Sequence, residues 1–251
     1  MKKIYIVPNL ITTGNLLSGF VSMSLSLKGD YVAAAWWILV GGVCDALDGR
    51  IARLAKATSP FGVEYDSLSD LATFGFAPAF LHYAMVLQGY DRVGVAIAFF
   101  YIACAAFRLA RFNVSTDFVP KTIFQGIPSP VAAGAIATTI LFLDKIGSPS
   151  GAYHVLAIIE CLLLGALMVS KIPYPSFKEF HWRSRSTFGL LVACTFSLTV
   201  IGIHPEVFLF LMSFLYIAGG FLLAMFRKFI ARKSPPVHRV LESSTDGGPH
   251  I

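Results

Sequence analysis

Residues 31–87 read YVAAAWWILVGGVCDALDGRIARLAKATSPFGVEYDSLSDLATFGFAPAFLHYAMVL. Two apolar runs flank a polar centre, and each approaches the roughly 20 residues that a helix needs to cross a bilayer. The polar centre holds Asp45, Asp48, Asp66 and Asp70, in a chain with only 14 acidic residues. Working outward, the whole chain of 251 residues is 56% hydrophobic and 14% charged, with a mean hydropathy of +0.70. A soluble domain carries about 25% charged residues, so a folded globule of this composition could not cover itself in water. A soluble enzyme, a disordered chain, a coiled coil and a repeat solenoid are excluded. The expected fold is all-α, a polytopic membrane protein.

The same ruler gives eight spans, near residues 10–27, 31–54, 66–88, 93–113, 130–146, 151–170, 186–203 and 206–229. Gly29-Asp30, Gly89-Tyr90-Asp91, Gly147-Ser148-Pro149 and His204-Pro205 mark tight turns between them. The opening residues carry Lys2 and Lys3 like a secretory signal. However, Pro8, Asn9, Thr12, Thr13, Gly14 and Asn15 interrupt its apolar centre, and the segment reads as the approach to the first span. Residues 1–230 form one expected transmembrane catalytic domain, and residues 231–251 a disordered cytoplasmic tail. Cys44, Cys104, Cys161 and Cys194 all lie in apolar runs and read as small buried hydrophobes.

Eight spans place both termini on one side, and 17 of the 20 basic residues fall there: Lys2, Lys3, Arg50, Arg53, Lys56, Arg108, Arg111, Lys121, Lys171, Lys178, Arg183, Arg185, Arg227, Lys228, Arg232, Lys233 and Arg239. Only Lys28, Arg92 and Lys145 fall opposite. By the positive-inside rule, the termini and the longer loops are cytoplasmic. This bias accounts for the net charge of +6. No nucleic-acid partner is needed, and anionic membrane lipids suit such a face. The inner cell membrane is the expected location.

Asp45 and Asp48 are three residues apart, and Asp66 and Asp70 four, so each pair shares a helix face. Thr58, Ser59 and Pro60 break the chain between the pairs, which lets two helices meet with all four carboxylates converging. An unpaired carboxylate inside a membrane costs about 2.5–3.5 kcal/mol. Four would cost roughly 10 kcal/mol, comparable to the stability of a domain, so something cationic must compensate. Two divalent ions would cancel the charge and leave Arg50 and Arg53 for a second anion. Clustered carboxylate oxygens suit magnesium or manganese rather than zinc. Gly41, Gly42, Gly49 and Gly62 leave room for a bulky group beside the backbone. The spacing of a calcium-binding loop is absent.

The run Asp45-x-x-Asp48-Gly49-x-x-Ala52-Arg53, eight residues, Gly62-x-x-x-Asp66-x-x-x-Asp70 resembles the signature of the CDP-alcohol phosphotransferases. PNLITTGNLLSG (8–19), FGVEYDSLSDLATFGFAPA (61–79), FRLARFNV (107–114), FQGIPSP (124–130) and KIPYPSFK (171–178) resemble the branch of that family that uses serine. The resemblance implies a six-helix catalytic core open to the cytoplasm and a homodimer. It also implies transfer of a phosphatidyl group from CDP-diacylglycerol to the hydroxyl of L-serine, giving phosphatidylserine and CMP with two divalent metals. Asp45 and Asp66 would then bridge the ions, Asp48 would complete one site and Asp70 the other, and Asp70 would also be the catalytic base. Gly49, Arg50, Ala52, Arg53, Thr58 and Gly62 would bind the CDP-lipid.

A serine carboxylate wants a guanidinium, which can grip it with two hydrogen bonds. Arg108 and Arg111 with Asn113, and Gln125 with Ser129 in the following loop, are the candidate serine-binding residues, with Lys171 a further one. Glu160 reads as an interhelical polar residue, and His82 and His154 lack metal partners at ligand spacing. Trp36, Trp37 and Trp182 read as interfacial or packing aromatics. Glycerol phosphate or inositol phosphate as acceptor, or an ether lipid as donor, are alternatives within the same chemistry. An intramembrane prenyltransferase would need a second, distant aspartate motif, and none lies outside residues 45–70. A transporter would favour midplane carboxylates and inverted repeats, and neither is apparent.

Overall fold

A computed structural model describes residues 6–55, 59–115, 123–147, 150–175, 195 and 202–233. The expected span at 186–203 lies almost wholly outside them, as do Thr58, Lys121, Trp182 and Cys194. The described chain is helical, in the order α1 (Ile6–Leu27), α2 (Tyr31–Leu54), α3 (Pro60–Asp70), α4 (Ala77–Met85), α5 (Asp91–Ser115), α6 (Ser129–Lys145), α7 (Ser150–Val169) and α8 (Pro205–Lys233). The exception to the all-α expectation is a short antiparallel ribbon of β1 (Ile123–Gln125) and β2 (Pro173–Pro175), which pairs Phe124 with Tyr174. Among the described residues, α1, α2, the stretch Leu87–Val114 and the stretch Pro205–Leu222 are long and apolar enough to cross a membrane.

The first helix is inverted relative to one from a soluble protein. Its buried residues are Pro8, Thr12, Asn15, Ser18, Gly19, Ser22 and Ser26. Leu10, Leu17, Phe20 and Leu27 are more than half exposed. Water would penalise that arrangement, whereas lipid tails solvate the large apolar side chains and small residues let helices pack closely. The chain is already helical at Ile6, before the expected start near residue 10, and of the interrupting residues Pro8, Thr12 and Asn15 belong to the inward stripe while Thr13 is exposed. A hydropathy window cannot tell which way a side chain faces.

The third span also begins earlier than the expected residue 66. Ser59 caps α3 by accepting the Gly62 N–H at 3.0 Å, and Pro60 occupies the first turn, where its missing N–H is harmless. Between α3 and α4, residues Leu71–Phe76 form a π-helical turn in which the Ala77 N–H donates to the Ala72 carbonyl, five residues back. Pro78 follows directly. In a regular helix the Phe74 carbonyl would look to the N–H of Pro78, which does not exist. The fully buried Tyr101 of α5 donates its hydroxyl to that carbonyl at 3.2 Å.

The wide turn seats Thr73 between α1 and α2. A Cβ added to Gly19 would come within 2.6 Å of the Thr73 Oγ1, and one added to Gly41 would strike the Thr73 methyl. The three helices can therefore approach only because those two positions carry no side chain. Farther down, Glu160 of α7 accepts from Thr139 of α6 at 2.5 Å and meets His82 Nε2 of α4 at 3.0 Å. Glu160 is thus a satisfied interhelical residue, and His82 is its partner rather than an isolated histidine.

Tyr101→Phe leaves the packing nearly unchanged but removes the donor to Phe74. It should lower stability by about 1–2 kcal/mol, seen as a reduced melting temperature of the detergent-solubilised chain. An unchanged melting temperature would mean that the π-turn needs no such donor.

Candidate active site

The four aspartates come from two helices that meet at one end. Asp45 and Asp48 lie one turn apart near the end of α2; Asp66 and Asp70 lie one turn apart in α3. Carboxylate oxygens of Asp45, Asp48 and Asp66 all lie within 4.8 Å of one another. Asp48 is 3% exposed and Asp70 9%. Among the described residues, none of the four is within 4.0 Å of an arginine or lysine nitrogen.

Neutral donors from α1 hold two of them. Thr12 Oγ1 donates to Asp48 Oδ2 at 2.8 Å, and Asn15 Nδ2 donates to Asp70 Oδ1 at 3.0 Å. Sequence reasoning missed both residues. The signal available was their spacing with Pro8, Gly19, Ser22 and Ser26, which puts them on one helix face. Asp66 Oδ1 is buried and has no hydrogen-bond partner. A buried carboxylate oxygen without a donor is costly, and three hard oxygen donors this close form a ligand set for a divalent cation. The residues present fit such an ion.

Beside this cluster is a cleft of about 190 Å³ between α1, α2 and α3. Its walls include Asn9, Thr12, Asp48, Gly49, Ala52, Arg53, Ser59, Gly62 and Asp66. Four of the expected CDP-lipid residues, Gly49, Ala52, Arg53 and Gly62, are therefore brought together. The Arg53 guanidinium lies over Gly49, where a Cβ would be 3.5 Å from its Nη1. Arg50 is exposed and is not part of the cleft wall. It points elsewhere because a residue one position after Gly49 is rotated about 100° around the helix. A larger cavity of about 500 Å³ between α6, α7 and α8 is lined almost entirely by apolar side chains. Its one carboxylate, Glu160, is already engaged.

The expected acceptor residues separate into groups. Arg108 Nη1 donates to Ser129 Oγ at 2.8 Å, so these two meet. Asn113 instead ties α5 to α3 through the Ser67 hydroxyl at 2.9 Å. Arg111 donates to the carbonyls of Val169 at 2.9 Å and Met168 at 3.2 Å, at the end of α7. A guanidinium there satisfies carbonyls that have no intrahelical donor and faces the negative end of the helix dipole. Gln125 lies in β1 opposite Pro173. Gly126, with φ +79°, turns the chain out of the ribbon against the carbonyls of Leu167 and Ser170, which a Cβ would approach to 3.0 Å or less. Lys171 is exposed.

A model of the CDP-alcohol phosphatidyltransferases matches residues 5–170, two thirds of the chain and all four aspartates. The chain belongs to this family. It is similar to a CDP-diacylglycerol–serine O-phosphatidyltransferase of Helicobacter pylori, at 34% identity over 223 residues covering 89% of this chain and 92% of that protein. A Bacillus subtilis protein of the same name is 35% identical over 173 residues, 69% of this chain and 92% of the relative. The archaetidylserine synthase of Methanothermobacter thermautotrophicus is 34% identical over 173 residues, 67% and 69% of the two chains. In this phosphatidyltransferase the acidic cluster, the cleft and Arg108 therefore sit on the helices that the family model covers, while α8 lies beyond it.

Arg111→Ala should loosen the end of α7 and reduce thermal stability by about 1–3 kcal/mol, whereas Asp66→Asn should leave the fold intact and weaken binding of Mn²⁺ by roughly 10-fold or more. Thermal melts and electron paramagnetic resonance of bound Mn²⁺ on the purified chain measure the two effects separately.

Proposed function

We propose that the chain transfers the phosphatidyl group of CDP-diacylglycerol to the hydroxyl of L-serine, releasing CMP and phosphatidylserine. The observation that carries this reading is the arrangement of the site. Asp48 and Asp66 line the cleft with Gly49, Ala52, Arg53 and Gly62, and Arg108 is bonded to Ser129 on helices outside that cleft. A nucleotide-linked lipid fits the first side and an amino-acid carboxylate the second. The names of the relatives agree on serine and differ in the lipid, phosphatidyl in the bacterial proteins and archaetidyl in the archaeal one.

Asp45, Asp48 and Asp66 would hold divalent ions, with Asp70 beside them; magnesium and manganese suit the oxygen set, and two ions would balance the four charges. When bound, such ions neutralise charge on the diphosphate and on the departing CMP. The rest is done by the chain's own groups. Arg108 receives the serine carboxylate with two of its donors. Asp70 takes the hydroxyl proton as the serine oxygen forms its bond to the phosphorus attached to diacylglycerol. The bond from that phosphorus to the CMP oxygen breaks, and CMP leaves through the cleft. The basic bias of the loops supports a cytoplasmic position for this end of α2 and α3 at the inner membrane, where the chain would work as a homodimer.

Purified chain supplied with CDP-diacylglycerol and a panel of alcohols tests the reading. Serine should release CMP, while glycerol phosphate and inositol phosphate should not. Arg108→Ala should raise the serine KM by 10-fold or more, an arginine–carboxylate bond being worth about 1.5–3 kcal/mol, and spare the KM for the CDP-lipid. Release of CMP by another alcohol but not by serine would replace the acceptor. An ether-linked CDP-lipid used in strong preference to the diacyl form would replace the donor.

A further inference from the structure

We infer that Asn15 of α1 is a positioning residue that presents the Asp70 carboxylate to the acceptor hydroxyl. The inference rests on the phosphotransfer reading given above and adds a residue that the acidic signature does not contain. Asn15 is fully buried, and its Nδ2 donates to Asp70 Oδ1 at 3.0 Å. That bond fixes one carboxylate oxygen and leaves the other free to take a proton. A base that could rotate about its side-chain bonds would lose this registration, and a misplacement of about 1 Å can cost two orders of magnitude in rate.

Two further observations separate positioning from ordinary packing. First, Asn15 is fastened at both its main chain and its side chain to the same stretch: its carbonyl accepts from Thr73 Oγ1 at 2.8 Å, one turn beyond Asp70. The amide is thereby held in one place by the interlock of Gly19, Gly41 and Thr73. Second, the Asn15 Oδ1 is buried without a partner and faces Gly41, where an added Cβ would lie 3.1 Å away. A side chain serving packing alone would not need a polar atom that the fold leaves unsatisfied. The amide is kept because its other end, the N–H, is the group that Asp70 needs. A lysine at this place would also donate, but it would neutralise the acid.

Thr12 repeats the arrangement one turn earlier on α1, with a different target. It donates to Asp48, a member of the three-carboxylate ligand set rather than the base. The two residues should therefore fail in opposite ways.

The experiment compares full-length variants for turnover, CDP-lipid KM and the Mg²⁺ concentration giving half-maximal activity. Asn15→Leu and Asn15→Ala should lower kcat about 10–100-fold while both requirements stay within about twofold. Thr12→Val should raise the Mg²⁺ requirement about 10-fold with kcat at saturating Mg²⁺ nearly kept, and Thr12→Ser should restore it. The inference is overturned if the Asn15 variants raise the CDP-lipid or Mg²⁺ requirement in step with the lost turnover, if both positions give the same split, or if neither Asn15 variant folds. Should wild-type chain release CMP with an acceptor other than serine, the assigned acceptor fails, and the Asn15 ratio is read with that acceptor.

Discussion

Four carboxylates gathered at the end of two membrane helices repel one another, and everything around them is arranged to keep them together without cancelling their charge. Two charged carboxylates within 4.8 Å of each other repel by at least about 3 kcal/mol at an effective dielectric of 20. A salt bridge to each acid would relieve that repulsion, yet no arginine or lysine among the described residues approaches within 4.0 Å. The donors that do reach them, Thr12 and Asn15, are neutral. Neutral donors stabilise an anion by hydrogen bonding and leave its charge available. Their hydrogen bonds hold Asp48 and Asp70 in place at the ligand set.

That arrangement depends on α1 coming close to α2 and α3, which is a question of side-chain size. Thr12 and Asn15 are short and reach the acids only if the backbones nearly touch. Gly19 and Gly41 permit the contact, and Thr73 fills the space between them. Thr73 in turn sits there because the chain makes a wide turn before Pro78, with Tyr101 satisfying the Phe74 carbonyl. In lipid there is no water to take up a freed carbonyl, so an irregular turn needs an internal donor. The irregularity in α3–α4 and the approach of α1 are thus one structural solution, and the site is its product.

Much of the site was legible in the sequence. The spacings 45/48 and 66/70 are properties of a helix, and scarce acids in an apolar chain have to converge on something. Asp45, Asp48 and Asp66 do converge, and Gly49, Ala52, Arg53 and Gly62 share a cleft wall. What escaped was whatever depends on direction rather than on type. Thr12 and Asn15 looked like flaws in a hydrophobic run because hydropathy averages over the helix circumference. Arg108 and Arg111 looked equivalent, being three apart, yet one meets Ser129 and the other the end of α7. The ribbon of Ile123–Gln125 and Pro173–Pro175 carries no sequence signal, since three residues are too few for a period and prolines argue against a strand. Arg50 is a further case: its charge was legible and its outward rotation was not.

The partition of the site has a consequence for the direction of the chemistry. Displacement at phosphorus needs the attacking oxygen and the leaving oxygen on opposite sides. Asp48 and Asp66 belong to the cleft formed with α1, where Arg53 overlies Gly49. Arg108 is held on α5 and bonded to Ser129 at the start of α6, on helices that take no part in the cleft wall. On the proposed reading the departing group lies in the cleft and the arriving one beside Arg108. A site built this way is rigid at the reacting centre. Variation in the acceptor can then reside in α5, α6 and the ribbon that braces them, while the acidic signature stays the same.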